Sequence, residues 1–132
     1  MKTKLIILSV VLAFTAFSCT DTNQNEIKVV SPEEMKSLLE LEDVQLVDVR
    51  TPEEYESGFI EYSQNINFLS PTFDQDILDL DKSKPVLVYC QSGKRSAKCS
   101  KKLKAAGFVK IYDLEGGITK WKYKGNEIKT IE

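Results

Sequence analysis

The chemistry of this 132-residue chain is concentrated in Cys90-Gln91-Ser92-Gly93-Lys94-Arg95-Ser96. The segment follows Val86-Leu87-Val88-Tyr89, an apolar, β-branched run that predicts a buried strand. It leads into residues 95–106, which read as a helix closed by Gly107. A thiol between a strand end and a helix start faces the free amides and the positive dipole end of that helix. Gly93 admits backbone conformations closed to other residues, so successive N–H groups can curl into an anion-holding nest. The cradle predicts a Cys90 pKa below the free value of about 8.5, with Lys94 and Arg95 adding positive charge. Cys90 then reads as a nucleophile ionised by its surroundings rather than by a base. The bland alternative is a structural cysteine at a strand end, which would not call for a glycine and two cations within five residues.

Composition narrows the remaining chemistry. The sequence has no histidine, which removes Cys-His and Ser-His-Asp hydrolases, HExxH metalloproteases and His-ligated metal sites. Cys19, Cys90 and Cys99 are too few and too scattered for a zinc site or a disulfide framework, so no metal or organic cofactor is expected. Lys+Arg 18 against Asp+Glu 20 gives a net charge of −2. That is no basic excess, and nucleic acid is not an expected partner. The two arginines, Arg50 and Arg95, both fall in polar clusters at predicted strand ends, among sixteen lysines. Arg offers a planar charged fork that Lys lacks, which hints at a selected role. Six cations and no acid lie between Lys94 and Lys104. They read as a solvated helix face whose part nearest Cys90 could steer a small anion. Cys99 sits one turn before Leu103 on the Ala106 face and is expected in the core. A resolving role toward Cys90 is its alternative, and that would require close Cα atoms.

The elements that must position these residues follow from patterning. Residues 27–30 read as a strand. Ser31-Pro32-Glu33-Glu34 is a capping-box start for a helix to about Leu41. Residues 44–49 predict a strand buried on both faces. Thr51-Pro52-Glu53-Glu54 repeats the helix start, and Gly58 ends that helix. Ser70-Pro71 opens a third helix to about Leu80, 82–85 form a turn, and 109–114 a strand. Gly116-Gly117 leads into a short helix through Trp121. Alternating strands and helices imply an α/β, three-layer α/β/α domain with a mostly parallel sheet and ligands beyond the strand carboxyl ends.

The N-terminus reads as an address. Lys2 and Lys4 precede an apolar run, Leu5 to Phe17, that is too short to cross a bilayer as a helix. Ala16-Phe17-Ser18-Cys19 resembles a bacterial lipobox. The expected organisation is a signal peptide at 1–18, a lipidated Cys19 with a flexible tether at 19–26, and the domain at 27–132. The expected location is exported and lipid-anchored, on a periplasmic or cell-surface membrane face.

Four stretches carry a family resemblance: LVDVRTPEEYESGFI (46–60), VLVYCQSGKRSAK (86–98), LKAAGF (103–108) and YDLEGGITKW (112–121). In order and spacing they resemble the single-domain rhodanese (thiosulfate sulfurtransferase) family. The resemblance implies a five-stranded sheet and a Cys90 that carries sulfane sulfur as a persulfide. The sulfur would move from a thiosulfate-like anionic donor to a thiol or cyanide-type acceptor, with the amides of Gln91, Ser92, Gly93, Lys94 and Arg95 holding the anion. It implies structural support from Asp48, Arg50, Glu115, Gly116 and Gly117, with Trp121 packing the last turn. Gly58-Phe59-Ile60 departs from the family's frequent Gly-His-Ile. The alternatives are a non-enzymatic sulfur carrier or binding module of the same fold, and a related phosphatase or arsenate reductase. Those last two resemble Cys-x5-Arg, one residue longer than the Cys-x4-Arg found here.

Overall fold

In the computed structural model, which describes residues 25–132, strand and helix alternate along the chain. The expected signal peptide, Cys19 and most of the tether lie outside the described residues. β1 (Glu26–Val30) starts on the last residue assigned to the tether, because Glu26 is already in register with Lys110. Ser31 caps α1 (Pro32–Leu41), accepting from the Glu34 amide while the Glu34 carboxylate takes the Ser31 amide. Thr51 and Glu54 form the same reciprocal box at α2 (Pro52–Ser57), which follows β2 (Gln45–Asp48). Both boxes match the sequence expectation, including proline at the first helical position.

Two expectations need correction. The third helix does not begin at Ser70-Pro71: Ser70 Oγ instead accepts from the Thr72 amide in a turn. The segment becomes α3 (Phe73–Asp76), followed by a 3-10 turn at Ile77–Asp79. Phe73, Ile77 and Leu80 keep the one-face spacing of a helix and all face the core. A further strand, which the residue pattern does not predict, lies at the sheet edge. β3 (Gln64–Asn65) is only two residues long, with no apolar run to announce it, and it pairs with Val47 and Asp48.

β4 (Val86–Tyr89), α4 (Lys94–Ala105), β5 (Lys110–Leu114) and α5 (Gly117–Tyr123) complete the fold. The five strands lie in the order β1-β5-β4-β2-β3, every pairing parallel. Alternate residues of each strand face opposite ways. Val47, Val86, Val88 and Ile111 pack against α3 and α4; Leu46, Leu87, Tyr89 and Tyr112 pack against α1 and α5. The result is the expected three-layer α/β/α arrangement. β4 lies at its centre, all four residues buried, and its carboxyl end carries Cys90.

The start of α5 closes against that end. Ile118 and Thr119 donate their amides to the carbonyls of Cys90 and Gln91, at 2.9 and 3.1 Å. Such an approach leaves no room for a side chain at Gly117, whose φ is +58°. A Cβ there would sit 2.4 Å from the Cys90 carbonyl oxygen and 2.6 Å from that of Gln91. Backbone atoms cannot swing aside, so Gly117→Ala combines overpacking with left-handed strain. The expected cost is at least ~2 kcal/mol, a fall of roughly 10 °C in melting temperature. Gly107→Ala, at φ +94° but with nothing within 4 Å of its added Cβ, carries the strain without the overpacking and is the control, so it should cost less than Gly117→Ala. Equal melting temperatures for the two variants would contradict the close approach.

Candidate active site

The turn after β4 wraps Cys90 in donors. The Gly93 amide lies 3.1 Å from Cys90 Sγ, and Ser96 Oγ lies 3.5 Å from it. Gly93 makes this possible by adopting φ 110°, ψ −11° as the residue before α4, which turns its amide inward. Burial pushes the Cys90 thiol up. The Ser96 hydroxyl and the amides of Ser96, Gly93 and Ser92 outweigh burial, and the pKa ends below the ordinary value. The residue is only 1% exposed, so the sulfur lies at the bottom of its cradle.

A buried ion pair braces this loop. Asp48 and Arg50 are almost wholly buried, with Arg50 Nη2 2.7 Å from Asp48 Oδ2 and Nε 3.0 Å from Oδ1. The same guanidinium donates to the Gly58 carbonyl at 2.6 Å and to Gln91 Oε1 at 3.2 Å. One side chain thus links the end of β2, the end of α2 and the cysteine loop. Asn65 completes the brace by donating its amide to the carbonyls of Asp48 and Arg50, at 3.0 and 2.9 Å. Gln91 also donates its amide to Thr119 Oγ1 at 3.1 Å, tying the loop to α5.

Arg95 has a different task from the one its position suggests. It makes two hydrogen bonds to Glu54, at 2.7 and 2.8 Å, and holds that carboxyl down to about 2. Its charge is largely matched by Glu54, so the donors rather than nearby cations account for the low Cys90 pKa. Lys94 is exposed at the rim and forms no ion pair among the described residues. Thus Gln91, Ser92, Gly93, Lys94 and Arg95 all surround Cys90, but the inward amides belong to Ser92, Gly93 and Ser96. Gly116 and Gly117 lie against the loop's back. Glu115 is exposed and paired with Lys120. Phe59 stacks on Tyr55 with ring centroids 4.5 Å apart.

Sequence reasoning stopped short of Ser96, Glu54, Asn65 and the Gly58 carbonyl. Ser96 carried a signal, since it ends the polar cluster one turn into α4. Glu54 was legible only as a capping residue, and its second partner lies 41 residues away. Cys99 is buried beside Leu103 as expected. Burial, with the charges of Asp113 and Cys90, pushes its thiol up to about 12. Among the described residues no group of three or more His, Cys, Asp or Glu side chains is placed to hold a metal ion.

Residues 31–124 match the rhodanese-like domain family. The uncharacterised protein YqhL of Bacillus subtilis is 32% identical over 127 residues, covering 95% of each protein. The tRNA uridine(34) hydroxylase of Teredinibacter turnerae is 35% identical over 96 residues, 70% of this chain but only 30% of that protein. The solution structure of the polysulfide-sulfur transferase homodimer of Wolinella succinogenes superposes with a TM-score of 0.67 at 29% identity, covering 83% of each chain. The parallel sheet, the cysteine loop at its centre and these matches agree: the chain belongs to the rhodanese-like domain family.

Proposed function

We propose that the protein is a sulfurtransferase that moves sulfane sulfur through a Cys90 persulfide, from a small anionic donor such as thiosulfate to a thiol or cyanide-type acceptor. The observation that carries this reading is the convergence of three amides and a hydroxyl on one buried sulfur, with no base beside it. The Cys90 thiolate attacks the outer sulfur of thiosulfate. A sulfur–sulfur bond forms to Cys90 while the sulfane–sulfite bond breaks, and sulfite leaves with the electron pair. The negative charge stays on the terminal sulfur of the persulfide, which the same donors can hold. The acceptor then attacks that terminal sulfur, and the Cys90 thiolate departs. Cys90 neither gives nor takes a proton in either step, which suits a site without histidine.

The similarity to a polysulfide-sulfur transferase supports this chemistry. The relation to a tRNA hydroxylase shows that the same domain also occurs inside larger enzymes of another activity. The Cys-x4-Arg loop favours a single sulfur over a tetrahedral oxyanion, and Arg95 is held by Glu54 rather than left open to bind one. The proposed setting is a membrane face outside the cytoplasm, with lipid on Cys19 as the only membrane attachment.

Mixing the domain with thiosulfate and cyanide should release thiocyanate, and Cys90→Ser should abolish that release. Absence of turnover with a one-sulfur mass gain at Cys90 would indicate a carrier, and absence of both would overturn the reading. Alkylation gives an independent check. Because the donors favour the thiolate, the Cys90 rate should reach its plateau at lower pH than a free thiol's. Cys99 should stay unreactive until the fold is lost. A Cys90 profile superimposable on that of free cysteine would remove the cradle argument. For the anchor, membrane-extracted protein should begin at Cys19 with an added diacylglyceryl mass, lost in Cys19→Ser. An uncleaved, unmodified chain would exclude it.

A further inference from the structure

Helix α4 carries six cations and no acid, although the chain as a whole has a net charge of −2. Half of those cations have a place in the fold. Arg95 is held by Glu54, and Lys102 pairs with Asp74 and lies over the rings of Phe68 and Phe73. Lys104, like Lys102, is in the last turn, where a cation suits the helix dipole. Lys94, Lys98 and Lys101 have no such partner. All three are exposed, and among the described residues none forms an ion pair, in contrast to Lys84 on Asp43 or Lys110 on Glu42.

Their spacing of four and three residues sets them in one stripe, on the side of α4 opposite the buried Ser96, Cys99, Ser100 and Leu103. The stripe runs about 10 Å along the helix axis. It starts at the catalytic loop, because Lys94 follows Gly93, whose amide touches the Cys90 sulfur. For the fold the arrangement is a cost: like charges three and four residues apart repel, and Lys94 in the first turn opposes the dipole. The exposed neighbours Ala97 and Ala105 are small, which leaves the face open.

We propose that this stripe is a docking surface for an acidic segment of a partner protein, one that carries the thiol that collects sulfur from Cys90. Charge complementarity gives the sign of the partner, and continuity with the Cys90 loop gives its role. Size favours a short segment, since about three residues of extended chain span the stripe. A long polyanion such as RNA, or an anionic bilayer, would also meet the acidic remainder of the surface, and α4 has no aromatic side chain on which bases stack. The inference rests on the sulfur-transfer reading. The docked thiolate attacks the terminal sulfur of the Cys90 persulfide. A sulfur–sulfur bond forms on the partner, and the bond to Cys90 breaks with its electron pair returning to the Cys90 sulfur.

For the test, Cys90 is loaded with thiosulfate and the excess removed. Single-turnover loss of sulfur is then followed with two synthetic hexapeptides, Cys-Gly extended by four glutamates or by four glutamines. At low salt the glutamate peptide should collect sulfur about tenfold faster than the glutamine peptide, and at about 0.3 M salt no more than about twofold faster. Lys98→Gln/Lys101→Gln should cut the low-salt preference at least ~threefold. Lys36→Gln/Lys122→Gln removes the same charge from exposed lysines of α1 and α5, on the opposite layer, and should leave the preference unchanged. Differences in peptide thiol acidity cancel, because only the ratio is compared between proteins. The stripe variant should melt no lower than wild type, since it relieves repulsion. No preference in wild type, an equal loss in both double variants, or a lower melting temperature in the stripe variant overturns the proposal. A stripe variant that loses binding to phosphatidylglycerol vesicles or single-stranded RNA while keeping the peptide preference overturns it as well. If no persulfide loads, the sulfur-transfer reading fails by itself. Fluorescence anisotropy of the labelled glutamate peptide then judges the stripe: salt-sensitive binding lost in the stripe variant upholds the docking surface, and absence of binding rejects it.

Discussion

A thiol inside a packed interior becomes more acidic only where the chain supplies the donors that water cannot, and the Cys90 loop is arranged to supply them. Turning the amides of the Cys90 loop inward turns its carbonyls outward, and those carbonyls need donors of their own. The start of α5 supplies them through Ile118 and Thr119. This explains why two sequence-distant features, the loop glycine at 93 and the glycine pair at 116–117, belong to one device. Gly93 orients the donors toward sulfur, and Gly117 lets a second backbone come close enough to take the opposite side of the same peptide groups.

The Asp48–Arg50 pair fixes where this device sits. A buried ion pair is a poor source of net stability, because two desolvation costs offset its attraction. Its value here lies in what the remaining donors reach. After bonding both carboxylate oxygens, the guanidinium still reaches the Gly58 carbonyl and Gln91 Oε1. Lysine has the charge but not the fork, and could not hold three segments at once. The second arginine follows the same logic at the other side of the loop, where Arg95 ties α4 to Glu54 of α2. In a chain otherwise furnished with lysine, both arginines stand where two-pronged geometry matters.

Local signals in the sequence translated well, and signals that depend on distant partners did not. The two capping boxes, the buried character of 86–89 and the strand–loop–helix around Cys90 are written in contiguous residues, and each forms close to its expected place. β3 escaped because a two-residue edge strand has no periodicity to detect; its existence depends on Val47 and Asp48 offering their free edge. Ser70-Pro71 looked like a helix start, but the Ser70 hydroxyl accepts from the Thr72 amide in a turn and the helix begins at Phe73. At the site, Cys90 and its loop were legible because thiol, glycine and helix start are neighbours in sequence. For Arg95 the converse holds: its proximity to Cys90 was visible, and its partner Glu54, 41 residues away, was not.

Cys90 and Cys99 show how little of this chemistry belongs to residue type or to burial. Both thiols are 1% exposed, both belong to the same core cluster, and one helix carries the surroundings of each. Yet their acidities move in opposite directions, Cys90 below its ordinary value and Cys99 up to about 12. Desolvation acts on both in the same sense, so it cannot be what separates them. The difference is that Cys90 meets amides that have not yet been committed to helix hydrogen bonds, whereas Cys99 lies well inside α4, where the surrounding amides are already paired. A thiol nine residues further along the chain, in the same core, has its acidity pushed the other way because the helix has already used its donors. The acidity of a thiol in this fold therefore depends on its place relative to the helix start, and the packed core supplies the low-dielectric surroundings in which those few donors dominate.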